Sequence, residues 1–322
     1  MTEITAKDVA ALAGVSRSAV SRTFTPRASV APETRRRVLE AAERLGYRPN
    51  ALASSLAKGR SDLVALVANS QPDLREPYLF HALNAALQGI GRQLVTVSLD
   101  NADRGTESLA DLIRFPLETA VVMADSVDAA TIAPYCTLRP PIMLNGRAGE
   151  ADCDLVRLDE AAGIGQALGW LSQRGIHRLW YVAGRRTATA HASRRLAFLE
   201  ALAKYPMLLV DEDIGDFSYE SGAEAWRRLA ARGDRPDALI AANDAMAMGA
   251  LDAAREAGRG SDVTVIGFDN VPQSNWAPYR FPTVEQPIAG IVDAVCDILR
   301  LRADEPGSPP IERVVQTRFI PR

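Results

Sequence analysis

The sequence predicts an all-α helix-turn-helix head followed by a larger α/β body built from parallel sheets. Three observations carry this. Over residues 1–60 apolar residues recur at helical spacing, punctuated by capping residues and glycines. Beyond residue 60 short apolar runs alternate with helical patterns, the order of a doubly wound parallel sheet. Charge divides at the same point, +6 over residues 1–60 and −9 over the remainder. A length of 322 residues suits a head plus two lobes, at ~100 to 200 residues per domain.

Within the head, Thr5 and Asp8 form a capping arrangement, and Val9, Ala10, Leu12 and Ala13 share one face of a first helix that Gly14 ends. Val15 points into a small core, and Ser16 caps a second helix. Val20 and Phe24 give that helix its buried face until Pro26 stops it. The intervening turn has the length of a helix-turn-helix. The second helix exposes Arg17, Ser18, Ser21 and Arg22, donors suited to phosphates and to guanine edges in the major groove. A third helix has Pro32 in its first turn, Val38, Leu39, Ala42 and Leu45 inward, and Gly46 past its end. Its Arg35, Arg36 and Arg37 are expected to be solvated or to face phosphate.

A basic head on an acidic body lets only the head approach a polyanion, since phosphate neutralisation supplies most non-specific affinity for DNA. On charge alone a solvated helix face is an equal reading. Hydrophobic residues at 47% and charged residues at 24% exclude a disordered or fibrous class. A charged N-terminus and the lack of a long apolar stretch point to a cytoplasmic protein without a signal peptide or membrane span. Cys136, Cys153 and Cys296 are widely spaced with no CxxC pair, so buried thiols are expected, with no zinc site and no cofactor.

Residues 8–16 (Asp8-Val-Ala-Ala-Leu-Ala-Gly-Val-Ser16), 19–22 (Ala19-Val-Ser-Arg22), 45–50 (Leu45-Gly-Tyr-Arg-Pro-Asn50) and 52–56 (Leu52-Ala-Ser-Ser-Leu56) closely resemble the lac-repressor (LacI/GalR) family of bacterial regulators. The resemblance implies a sequence-specific transcriptional regulator, a homodimeric repressor of a pseudo-palindromic operator, controlled by a small-molecule effector. It assigns base contacts to Arg17, Ser18 and Arg22. Residues 50–56 match the family's hinge helix, with Asn50, Ala53 and Leu56 on DNA and Leu56 wedged into the minor groove. Two departures are Ala19, where the family commonly has a phosphate-contacting threonine, and Ala31, where a Ser or Thr cap is usual.

The resemblance divides the chain into a DNA-binding head (1–46), a hinge helix and linker (47–60) and an effector-binding and dimerisation domain (61–322). The last has the periplasmic-binding-protein type I fold: one lobe of about 61–160 plus 290–322, a second of about 161–289, and three crossovers. Strands are expected at 63–68, 94–98, 120–123, 142–144, 178–183, 238–241 and 263–267, and helices at 78–92, 161–174, 193–204 and 219–232. Open parallel sheets bind ligands off the carboxyl ends of their strands. This singles out Asn69, Asn145, Arg147, Asn243 with Asp244, and Asp269, although Asn243 and Asp244 read equally well as helix caps. The resemblance adds Arg195, ranked first as a planar donor fork, Phe217 as a stacking aromatic, and Tyr78 and His191. Arg147, Arg185, Arg186 and Arg194 near these loops suggest an acidic effector, a sugar acid or sugar phosphate rather than a neutral sugar.

Three other readings remain. An enzyme lacks support, because residues 182–186 carry neither GxGxxG nor a P-loop lysine, and no Ser/His/Asp set stands out. A solute-binding protein would not need the basic head. An effector-independent DNA binder with a decayed pocket stays open.

Overall fold

The computed structural model describes residues 4–24, 28–48, 61–69, 73–99, 116–124, 127–145 and 152–322. Met1–Ser61 and Asp62–Arg322 form two separate compact units.

The first unit contains α1 (Ala6–Ala13), α2 (Arg17–Thr23) and α3 (Pro32–Leu45). Thr5 donates to Asp8 Oδ2 from its backbone N–H at 2.8 Å and from its hydroxyl at 2.7 Å, fixing the start of α1. Gly14 ends α1 at φ 62°, a left-handed conformation that lets the Val15 N–H return to the Ala10 carbonyl at 3.0 Å. Ser16 Oγ then accepts from the Ala19 N–H at 3.2 Å and starts α2. The core gathers Val9, Ala10 and Ala13 from α1, Val20 from α2, and Val38, Ala41 and Ala42 from α3. Two expected core residues are outside it: Leu12 and Leu39 are 44% and 46% exposed. At 100° per residue, each lies about 100° off the centre of its helix's buried arc, and Ala41 occupies the place expected of Leu39.

Ala31 precedes α3 and makes no side-chain cap. Ala31→Asp is expected to stabilise the first unit by ~1 kcal/mol by satisfying an orphan N–H and complementing the helix dipole. Slower hydrogen exchange at the α3 amides would register the gain.

In the second unit one sheet holds β1 (Leu63–Asn69), β2 (Gln93–Leu99), β3 (Thr119–Val122), β4 (Ile142–Leu144), β5 (Asp154–Asp159) and β11 (Glu312–Gln316). Their order is β11-β5-β4-β3-β1-β2, all parallel. Val64 and Leu66 of β1 pack on one face with α4 (Glu76–Gly89) and α10 (Ile288–Asp304), while Ala65 and Val67 enter the cluster on the other with the short α5 (Ala129–Ile132). Burial on both faces explains why β1 reads as an unbroken apolar run.

The other sheet holds β6 (Arg178–Ala183), β7 (Leu208–Ile214), β8 (Ala238–Ala241), β9 (Thr264–Asp269), β10 (Thr283–Glu285) and β12 (Arg318–Ile320). Their order is β12-β10-β9-β8-β6-β7, with β12 alone antiparallel to its neighbour. Around it pack α6 (Glu160–Ser172), α7 (Thr189–Leu202), α8 (Tyr219–Ala231) and α9 (Asp244–Glu256). Tyr181 stacks on Phe198 at 4.5 Å, and Trp180 meets Trp226 edge-on at 5.2 Å.

The chain crosses between the lobes between β5 and α6, between β10 and α10, and between β11 and β12. Thr317 ties the first and third crossings: its hydroxyl donates to the Asp159 carbonyl at 2.6 Å and accepts from the Gly163 N–H at 3.0 Å. That turn sends residues 318–320 into the second sheet, so the final strand does not stay in the first lobe as expected. Cys153 and Cys296 are buried and Cys136 is half-buried. Among the described residues no helix is long and apolar enough to cross a membrane.

Candidate functional site

On α2, Arg17, Ser18, Ser21 and Arg22 are all exposed on the face turned away from Val20 and Thr23. The Arg35-Arg36-Arg37 run divides, against expectation. Arg35 donates to the Thr23 and Ala28 carbonyls at 2.9 and 3.3 Å, and Arg37 donates to the carbonyls of Ala13 and Gly14. The Ala13 and Thr23 carbonyls end α1 and α2 and Gly14 follows α1, so these three have no partner within a helix. Arg35 and Arg37 therefore hold the three-helix unit together. Arg36 remains at the surface, bridging Glu33 at 2.6 Å and Glu40 at 2.9 Å. Asn50, Ala53 and Leu56 lie outside the described residues, as does the stop expected at Pro26.

In the second unit a cavity of about 430 Å³ opens where the carboxyl ends of both sheets' strands face each other. Asn69, Asn145, Phe217, Asn243 and Asp269 line it. Asn243 is fully engaged: its Oδ1 accepts from the Met246 N–H at 2.9 Å, capping α9, and its Nδ2 donates to the Phe217 carbonyl at 2.8 Å. It acts as helix cap and as anchor of the aromatic's loop. Phe217 sits at φ 75° with its ring against the bare backbone of Gly184, where any Cβ would collide with it. Asn145, at φ 57°, accepts from the Leu158 N–H at 3.1 Å. Asp244, the other cap candidate, points away from the cavity and accepts from Val271 N–H at 2.8 Å and Thr283 Oγ1 at 2.6 Å.

Arg194 supplies the buried guanidinium of this cavity. Its Nε donates to Glu160 Oε1 at 3.1 Å, Nη1 donates to the Ala242 carbonyl, and the guanidinium lies 3.7 Å over the Phe268 ring. Burial opposes its charge, but the Glu160 and Asp269 carboxylates outweigh that and hold it above its ordinary value. Burial pushes the Asp269 carboxyl well above the usual range. Asp73 adds to this, and Arg194 and Arg75 act against it. Gln286 Nε2 donates to Asp269 Oδ1.

Comparison with known proteins adds a second line of evidence. The family model for bacterial regulatory proteins of the lacI family matches residues 5–50, and that for a periplasmic binding protein-like domain matches residues 169–322. The HTH-type transcriptional repressor PurR of Erwinia tasmaniensis is 31% identical, over 88% of this chain and 85% of PurR. The chain belongs to the lacI family of bacterial regulatory proteins. The lac repressor bound to ONPG, 22% identical, shares the fold with a TM-score of 0.88 over 100% of this chain and 99% of that one. The transcriptional regulator CelR, solved as its cellobiose complex, is 28% identical with a TM-score of 0.72, over 99% and 98% of the two chains. This lacI-family member is a DNA-binding transcriptional regulator.

Three effector-contact expectations do not meet the cavity. Arg195 turns outward, donating from Nε and Nη2 to Glu212 of edge strand β7 at 3.0 and 2.8 Å. Tyr78 is exposed on α4, and His191 lies on α7 outside the cavity wall. Arg147 falls outside the described residues, and Arg186 faces a separate groove. Of the arginines expected to favour an acidic effector, Arg185 and Arg194 do line the cavity, beside Arg75. Helical spacing could have found Arg194: it stands three, four and seven residues before Ala197, Phe198 and Ala201, all on the buried face of α7. Sequence reasoning also missed Asp73, Arg75 and Glu76 in the β1–α4 segment and Gln286 after β10, all at the cavity wall. For Asp73, Arg75 and Glu76 the position beyond β1 was the available signal, whereas Gln286 follows a strand the sequence does not announce.

Proposed function

We propose that this regulator is a homodimeric repressor whose hold on its operator is controlled by a small polar effector, a sugar or sugar derivative, bound between the lobes. The observation carrying this reading is the interlobe cavity itself. The second lobe sends buried polar groups, and the first lobe half-buried ones, into a space of about 430 Å³, within the size range of small-molecule sites. A decayed pocket would have no reason to keep Arg194, Asp269 and Gln286 desolvated around an opening. The cellobiose held by CelR supports a carbohydrate-like ligand.

On this reading Arg17, Ser18, Ser21 and Arg22 of α2 contact operator bases and phosphates, and two protomers present two such helices to two half-sites. Asn50, Ala53 and Leu56 form the hinge contacts. Ligand favours one arrangement of the lobes, and through the dimer shifts the population of DNA-competent hinges; operator and effector are reciprocally coupled. The protein acts in the cytoplasm, where its DNA is, and performs no catalysis.

The test is a thermal-shift screen of the full-length protein against sugars and sugar derivatives, followed by operator binding with and without each hit. Saturating ligand should raise Tm by roughly 2 to 4 °C and change operator affinity by at least ~5-fold. A complete absence of hits, or hits that leave operator affinity unchanged, overturns effector control while leaving DNA binding intact.

A further inference from the structure

The charge of the cavity narrows what fills it, an inference that rests on the effector site proposed above. Seven charged side chains face the space: Asp73, Arg75 and Glu76 around the start of α4, Arg194 on α7, Arg185 and Asp216 on loops after the second lobe's strands, and Asp269 at the end of β9. Two cations are already matched. Arg194 pairs with Glu160, and Arg185 lies near Asp216. Burial alone would raise the Asp216 carboxyl, but Ser218, Ser221 and Arg185 hold it below the usual range. The carboxyls that remain, Asp73, Glu76 and Asp269, outnumber Arg75, and burial raises two of them, Glu76 and Asp269, above the usual range.

A second observation is independent of charge. Gln286 is 3% exposed; its Nε2 is spent on Asp269, and its Oε1 has no hydrogen-bond partner. An unsatisfied buried carbonyl oxygen destabilises the empty site, and an occupant carrying donors would relieve it. Asp73 Oδ1 is already engaged, accepting from the Arg75 and Glu76 N–H groups at 2.8 Å each, so the carboxylate is held in place.

We propose that the cavity binds a ligand bearing a protonated amine, such as an amino sugar or amino polyol, whose ammonium lies among Asp73, Glu76 and Asp269 while its donors reach Gln286 Oε1. Asp73 and Glu76 belong to one lobe and Asp269 to the other, and burial keeps Glu76 and Asp269 from holding their charge in the empty cleft. An ammonium between the lobes would favour both ionised forms and bridge the two sides. Anionic sugars would add a further negative charge and are disfavoured.

The site has a proton that the ligand must displace. Burial pushes the Glu76 carboxyl up to about 8, with Asp73 adding and Arg75 opposing, while Asp269 and Arg194 stand across the space. The empty site thus holds Glu76 protonated at neutral pH. Ammonium binding favours the ionised form, so affinity rises as pH climbs from 6 toward 8 and the proton is lost more easily.

Isothermal titration of the full-length protein with glucosamine, galactosamine and mannosamine, each beside its parent hexose and uronic acid, tests this. At least one amino sugar is expected to bind ~10-fold tighter than its parent and its uronic acid at pH 8, with affinity increasing ~10-fold between pH 6 and pH 8. Glu76→Gln should remove most of both effects. Should that variant fold poorly, Asp73→Asn, which keeps the α4 cap, should lower the preference likewise. Parent hexoses or uronic acids binding as tightly as the amino sugars would overturn the amine assignment and leave effector control standing. So would a preference that survives both substitutions. Binding by none of the nine compounds overturns the amine assignment, and only the wider screen above then decides effector control.

Discussion

Arg194→Met is expected to abolish ligand-induced stabilisation and to cost the second unit about 3 to 5 kcal/mol, because it strands Glu160 in the interior without its partner. The two losses have different origins, and a second substitution separates them. In Arg194→Met with Glu160→Gln no charge is left buried at this pair, so much of the stability should return, read as recovery of the urea midpoint. The ligand response should not return, because the guanidinium facing the cavity is still missing. Arg195→Met provides the contrast. Its pair with Glu212 is more than one-third exposed and contributes ~1 kcal/mol or less, and the ligand response should survive. An Arg195 variant that loses the response while Arg194→Met keeps it would overturn the cavity described above.

The one-residue slip between these arginines illustrates what the sequence makes legible. The start of a helix can be recognised from motif resemblance, but adjacent residues on it point 100° apart, so a slip of one exchanges a cavity group for a surface ion pair. Strands buried on both faces announced themselves: β1, β6 and β8 stand within one residue of their expected bounds. The unanticipated strands lack that signature. β5 reads Asp-Leu-Val-Arg-Leu-Asp, β7 is an edge strand ending in three acidic residues and an isoleucine, and β10 and β12 have three residues each. Their place is set by pairing with distant strands, which no local window contains. The cavity was legible to the extent that it follows strand ends, which found Asn69, Asn145, Asn243 and Asp269. Where a strand went unseen, its terminal group went unseen too, as with Gln286 after β10.

The same distinction between outward and tying arginines governs the largest effect expected at DNA. Arg17→Ala should relax discrimination at one base pair in each half-site by ~1 to 3 kcal/mol, because bidentate arginine-to-guanine contact is the commonest specific reading and Arg17 is exposed at the start of α2. Competition binding against operators altered one base pair at a time reads this directly. Arg35→Ala should behave differently: it removes donors from the Thr23 and Ala28 carbonyls, loosening the head and weakening every operator alike, with the order of base preference kept. If Arg17→Ala also weakened all sequences uniformly and lowered the salt slope by about one, its partner would be a phosphate, and base reading would pass to Ser18 and Arg22. A preference lost in Arg35→Ala but intact in Arg17→Ala would mean that α2 does not present its exposed face to the bases.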